Sequence, residues 1–328
     1  MVFKKLLGAL GVGGPSVDTV LQTGPALPGG PLSGEVRLRG GGADVSVDRL
    51  SLLLVARVEV EGDEEHEGTV VLERFTVGGG FRLPEEADHA VPFTVTLPWE
   101  TPITELRGQR LGPVLGIRTE LEISGARDKG DLDALAVGPL PAQEAVLEAF
   151  GQLGYVFRSA DLELGHIRGT GQQLPCYQEI EILPPADHAH AVNEIEVTFL
   201  ASPGGLEVVI EADKRGGLFA EGHDTVHRFT APHYPASQDV WNERVDGWLK
   251  QVVAGGPARS ESSSYEAHQG DPYGGRRTGP GAGAVVAGAA AGAAVGVAGG
   301  MVAAEVVDEI GDAFEAEEDE EGDEGDEG

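Results

Sequence analysis

The sequence predicts an all-β protein of two antiparallel β-sandwich domains with short peripheral helices and a disordered C-terminal tail. Three observations predict it. Fifty glycines and twenty prolines, with only 5% aromatic residues among 328, suit many short strands and turns. Alternating apolar runs recur between turn-bounded breaks. The chain also opens on a strand, a Pro-Gly turn and a second strand, with no chemically armed residue around them.

That opening is Val17–Leu21, then Pro28-Gly29-Gly30, then Ser33–Gly40. Pro28 presets φ for a turn, Gly29 and Gly30 tolerate positive φ, and Glu35, Arg37 and Arg39 alternate with Val36 and Leu38. Leu50–Val60 reads as a strand, nearly continuous at first and alternating at its end. Gly62–Gly68 reads as a charged loop and Val70–Phe75 as the return strand. Val91–Leu97 alternates, and Pro92 marks an edge or a strand start. Glu100–Thr104 is a loop, and Gly116–Ile123 alternates again.

A helix is expected over 138–154, where Ala145, Val146, Leu147, Phe150 and Leu153 follow a helical period, Pro141 suits the first turn and Gly154 the C-terminal cap. A second β block follows: Tyr155–Leu164, Leu174–Ile182, Glu194–Phe199, a Ser202–Gly205 turn, Leu206–Asp213 and His227–Phe229. Val240, Trp241, Val245, Trp248, Leu249 and Val252 then mark a helix over 238–253. The expected organisation is an N-terminal amphipathic helix (1–14), a β-sandwich (15–137), a second sandwich with flanking helices (138–254), a disordered linker (255–280), a Gly/Ala segment (281–304) and an acidic tail (305–328).

The net charge is −32. Fourteen acids and no bases follow residue 304. The other 41 acids face 23 bases, so the body is −18 without its tail. A field of that sign repels phosphate backbones, which argues against nucleic-acid binding. The lone Cys176 allows no disulfide framework, fits a reducing cytoplasm, and reads as a small core residue.

No catalytic, cofactor or metal residues are assigned. Asp187-His188-Ala189-His190 and Glu221–His227, with His223 and His227 four apart, offer imidazole and carboxylate groups, but they read as polar surface loops; a metal-dependent hydrolase is the remote alternative. Neither a Gly-x-Ser-x-Gly elbow nor a phosphate loop occurs. Adjacent acids such as Glu64-Glu65 and Glu85-Glu86 read as solvated, and nothing in the sequence suggests a buried carboxylate with a shifted pKa.

Contact surfaces are the remaining candidates. Phe3, Leu6, Leu7 and Leu10 fall on one helical face, with Lys4 and Lys5 off it; the face either packs on a domain of this chain or makes a transient partner or membrane contact, and Phe3, Lys4, Lys5, Leu6, Leu7 and Leu10 are the partner-contact candidates. The apolar start superficially resembles a secretory leader, but Gly11, Gly13 and Gly14 break it. Residues 281–304 are 24 uncharged residues in which Gly288, Gly292, Gly296 and Gly300 recur every fourth position, a smooth helix-packing face. As a helix the run would span roughly 36 Å, against about 30 Å of hydrocarbon. Its valines favour insertion by only about 0.3–0.6 kcal/mol each. A low-complexity linker and a membrane-associated or self-associating helix both stand as readings.

The chain resembles the bacterial sporulation-control (SpoOM) family. The resemblance rests on Lys4-Lys5-Leu6-Leu7, Val17-Asp18-Thr19, Pro28-Gly29 with Gly34-Glu35-Val36, Leu97-Pro98 with Thr101-Pro102-Ile103-Thr104, and Glu144–Leu147 with Leu153-Gly154. It continues with Leu174–Glu179, Asn193–Val197 and Glu211–Gly217, and so covers residues 1 to 235. Gly30 stands where the family turn more often has Glu, and Cys176 where an aromatic is more usual. The segments after residue 280 are additions to the family pattern.

The resemblance implies an arrestin-like pair of β-sandwiches. It also implies a cytoplasmic, non-catalytic regulator with protein partners in the sporulation or cell-division machinery, and it offers no catalytic residues. A membrane-surface scaffold, held by the N-terminal helix and the Gly/Ala segment, and a homo-oligomer are the alternatives. Fusing residues 281–304 to a soluble reporter and fractionating the cells tests the membrane reading, which a wholly soluble reporter removes.

Overall fold

A computed structural model describes residues 14–60, 66–124, 129–214, 225–233 and 237–254. Strands dominate it, with two helices. Strands β1 (Ser16–Leu21) and β2 (Pro31–Arg39) form the opening hairpin, and β6 (Asp88–Thr96) adds to the far side of β2. Pro92 therefore sits on an edge strand, where its missing N–H costs nothing. Of the two turn glycines only Gly29 needs the left-handed region, at φ 68°. The Trp99 ring lies on it, and a Cβ there would sit 2.4 Å from that ring.

The facing sheet runs β10 (Lys129–Ala134), β9 (Leu115–Ile123), β3 (Val45–Val60), with β4 (His66–Gly78) and β5 (Phe81–Leu83) also on β3. The charged loop expected up to Gly68 is thus shorter, because His66 to Gly68 already pair with β3. The nearly continuous apolar stretch of β3 has a simple cause. Leu50, Leu52, Leu54 and Ala56 face the shared core, while Leu53 and Val55 are buried on the other side under Val71, Val114 and Leu132. A buried bond between the Thr19 and Thr119 hydroxyls, 2.6 Å, ties the two sheets. The Thr19 N–H donates to Asp131 Oδ2 at 2.8 Å, which satisfies an edge donor of β1.

In the second half β11 (Val156–Leu164), β12 (Cys176–Leu183), β13 (Val192–Ser202), β14 (Gly205–Lys214) and β15 (Thr225–Ala231) make consecutive antiparallel pairs. Helices α1 (Pro141–Gln152) and α2 (Gln238–Ala254) pack on this sheet. α1 starts at Pro141, with the Leu140 N–H donating to Gln143 Oε1 at 2.8 Å. It ends in a Schellman motif: Gly154 takes φ 87°, its N–H donates to Gly151 O, and the Tyr155 N–H donates to Phe150 O. α2 buries Trp241, Val245, Trp248, Leu249 and Val252 and leaves Val240 exposed. Trp248 stacks on Phe229 of β15, with ring centroids 4.9 Å apart.

The halves meet along residues 99–112. β3 and β11 share one parallel bridge, Glu59 opposite Glu163. Trp99 stacks on His233 at 4.9 Å. Glu100 Oε2 accepts the Gln173 and Leu174 N–H groups at 2.7 and 2.9 Å. The buried Gln178 carboxamide accepts the Ile103 N–H and donates to the Ile103 carbonyl, both at 2.9 Å, as a neighbouring strand would. The hairpin β7 (Glu105–Leu106) and β8 (Gln109–Arg110) follows, and its Arg107 grips Glu144 and Glu148 of α1. Gly112, at φ 126°, brings its backbone so close to β11 that a Cβ would lie 2.3 Å from Ala160 O. One core of buried side chains runs through both halves.

Gln178→Leu leaves the buried Ile103 N–H and carbonyl without partners and is expected to cost about 2–4 kcal/mol, read as a lowered Tm. Gly112→Ala, with strained φ and no room, is expected to destabilise by at least about 1 kcal/mol in the same thermal melt.

Candidate functional site

Every contact candidate read from the sequence lies outside the described residues: Phe3, Lys4, Lys5, Leu6, Leu7 and Leu10 at one end, Gly288, Gly292, Gly296 and Gly300 at the other. The linker over 255–280 and the acidic tail lie outside them too. Among the described residues, the histidines singled out do not converge on one site. His188 Nδ1 is 2.7 Å from Tyr155 Oη, His190 sits in the exposed turn beyond it, and His227 is buried in β15 beside Phe229. His223 lies outside the described residues. Cys176 is 3% exposed, and burial, with Glu100 second, pushes its thiol up to about 12. An inert core thiol is what that environment makes.

The described residues bring together a carboxylate cluster instead. On β12 the even positions Cys176, Gln178, Ile180 and Ile182 turn into the core, so Tyr177, Glu179 and Glu181 face the other way. The antiparallel register sets Asp161 opposite Glu179 and Glu163 opposite Tyr177 on β11. It also sets Glu196 of β13 opposite Glu181, and Glu211 of β14 opposite Glu196. Glu59 enters from β3 beside Glu163.

One carboxylate oxygen from each of Asp161, Glu163 and Glu179 falls within 4.8 Å of the others. Asp161 Oδ1 is buried without a hydrogen-bond partner. Arg158 sits at one side, 3.5 Å from Glu181 and paired with Glu194, and Ser159 donates to Glu181.

Burial and crowding of like charge raise both central acids. Burial, then Glu59 and Glu181, lift Asp161 to about 6. Burial, then Glu196, Asp161, Glu163 and Glu211, lift Glu179 to about 8. These carboxyl groups are half-buried, and nothing in the sequence pattern suggested it. The signal lay in cross-strand register, which sequence adjacency does not reveal. Asp161, Glu163 and Glu179 are the described residues that could hold a metal ion, and three carboxylate oxygens are a donor set for a hard divalent cation.

A second feature opens at the end of the same sheet. The hairpin over Leu200–Leu206, the end of β15 and α2 frame a groove of about 930 Å³, with Glu100 and Gly171 on one wall and Trp248 and Arg244 on another. The Arg244 guanidinium lies 4.9 Å over the Trp241 ring. Among the described residues, no helix is long and apolar enough to cross a membrane.

The chain was compared with known proteins. A family model described as "SpoOM protein" matches residues 3–216. The sporulation-control protein spo0M of Bacillus subtilis (strain 168) is 36% identical over 258 residues, which cover 76% of this chain and 97% of that protein. The crystal structure of Spo0M from Bacillus subtilis superposes with a TM-score of 0.61 at 28% identity, over 74% of this chain and 99% of that one.

The raised acids carry a sign. The folded state holds protons on Asp161 and Glu179 that an unfolded chain, with ordinary carboxylates near 4, has already released. Stability from this cluster is therefore expected to fall as pH rises from about 4 to about 8. Glu179→Gln removes the larger of the two shifts. It is expected to raise the Tm at pH 8.5 relative to the parent, by on the order of 1–3 kcal/mol of stability after solvent screening, and to change little at pH 4.

Proposed function

This chain belongs to the SpoOM protein family, and on that footing we propose that it is a non-catalytic regulatory adaptor in sporulation control that works through protein contacts. One observation carries the reading. Several residues on which the family resemblance rests use their polar groups to hold the architecture together. Thr19 bonds across the sandwich, Gln178 bonds the backbone of Ile103 in the other half, and Thr101 Oγ1 donates to Pro98 O in the loop between them. A catalytic motif aims its polar groups into a site for a reacting molecule. These aim theirs at the chain itself, and what they preserve is a surface of fixed shape.

The partners are proteins of the sporulation or cell-division machinery, met in the cytoplasm, and the apolar face of Phe3, Leu6, Leu7 and Leu10 is the proposed first contact. The body's acidity makes nucleic acid an unfavourable partner.

Complementation tests the proposal. In Bacillus subtilis lacking its own spo0M, expression of this chain is expected to restore spore counts towards those of the parent strain. A chain without residues 1–14 is expected to fold and yet restore less. Equal restoration by the truncated chain would remove the N-terminal contact. Turnover or stoichiometric bound metal in the purified protein, lost on substitution of His223 or His227, would replace the adaptor with an enzyme.

A further inference from the structure

The connection from β11 to β12, residues 165–175, is a self-contained strap. The Gln172 amide donates to the carbonyls of Gly165, Leu174 and Cys176, at 2.7, 2.9 and 3.3 Å, and its oxygen accepts the Ile167 N–H at 3.0 Å. Thr170 Oγ1 closes the tip on Ile167 O at 2.7 Å, and the Gly165 N–H meets Pro175 O at 2.9 Å. Leu174 roots the strap's far end in the core, while Arg168, Gly169, Gly171 and Gln173 are exposed. A piece bonded mainly to itself moves as a unit if its outside ties are released.

Those outside ties are few and charged. Glu100, from the other half of the molecule, accepts the Gln173 and Leu174 N–H groups through a single oxygen. Arg228 of β15 donates to Gly169 O while it is paired with Glu207. Glu100, Glu207 and Gly171 also line the groove described above. Glu100, which fastens the strap from the other half, is thus a wall residue of the groove, and Arg228 holds Gly169 from behind it, paired with the wall residue Glu207. Gly171 has no atom within 4 Å of where a Cβ would stand, so the strap meets open space there.

We propose that the 165–175 strap is a movable wall of this groove, latched shut by Glu100 across the seam between the halves. Releasing the carboxylate frees two backbone amides at once. The strap then swings on its glycines, widens the groove toward Trp248, and loosens one of the contacts joining the halves. The device ties groove width to the seam: whatever competes for the Glu100 carboxylate opens both.

The test uses the full chain. Glu100→Ala is expected to speed amide hydrogen exchange throughout 165–174 by at least about tenfold, the factor set by loss of a charge-assisted hydrogen bond. Tryptic cleavage after Arg168 should accelerate with it, while β13 and β14 keep the parent exchange rates. Glu100→Gln, which keeps an acceptor oxygen and loses the charge, should give a smaller acceleration of the same peptides and serves if the alanine variant does not fold. Faster exchange at Gln173 and Leu174 alone, with cleavage at Arg168 unchanged, would mean a static strap and overturn the proposal. Faster exchange across β13 and β14 would overturn it too, by making Glu100 a general stability contact.

Discussion

The structure depends on a buried carboxamide. Gln178 is 8% exposed, and its side chain supplies the two hydrogen bonds that the backbone of Ile103 would otherwise need from a strand. A buried backbone amide without partners costs about 1–3 kcal/mol per group. The loop through Ile103 can therefore run buried against the second half only because Gln178 is there. The rest of the seam follows from that position. Glu100 reaches the next two backbone amides upstream of β12, Trp99 lies over Gly29 and against His233, and Gly112 closes on Ala160.

This constraint makes the two halves one body. The sheets touch through a single parallel bridge, which by itself is weak. Side chains and close backbone approaches along 99–112 supply the connection, and the core passes under them without a break. For a protein proposed to act by contact, a fixed relation between two sheets matters as much as either sheet. A partner that spans both meets a surface already arranged for it, and binding then carries less ordering cost.

The acidic face shows the opposite tendency. Asp161, Glu163 and Glu179 are held together by strand register although their charges repel, and Asp161 and Glu179 hold their protons to higher pH than ordinary carboxylates. Arg158 relieves only the side nearest Glu181 and Glu194. In a chain of net charge −32 this is a place where repulsion is concentrated, at the strand that bridges the two halves. Uptake of a proton or of a divalent cation would ease the same strain, so the stability of this face is linked to its solution conditions.

Much of the fold was legible in the residues. Period-two alternation placed β2, β9 and β12, Pro141 and Gly154 bracketed α1, and the Trp241, Val245, Trp248 spacing marked α2, because each signal is local and the physics behind it acts within a few residues. The short β5, the β7–β8 hairpin and β10 carried too little pattern to be read. Pairing rather than propensity makes them strands. Sequence alone could say that Gln178 and Glu100 were polar and that Asp161 and Glu179 were acidic. Only the tertiary structure decided that the first two close a seam against residues about 75 positions away, and that the last two share one half-buried patch. Register and burial depend on which distant segments meet, and no local pattern carries that information.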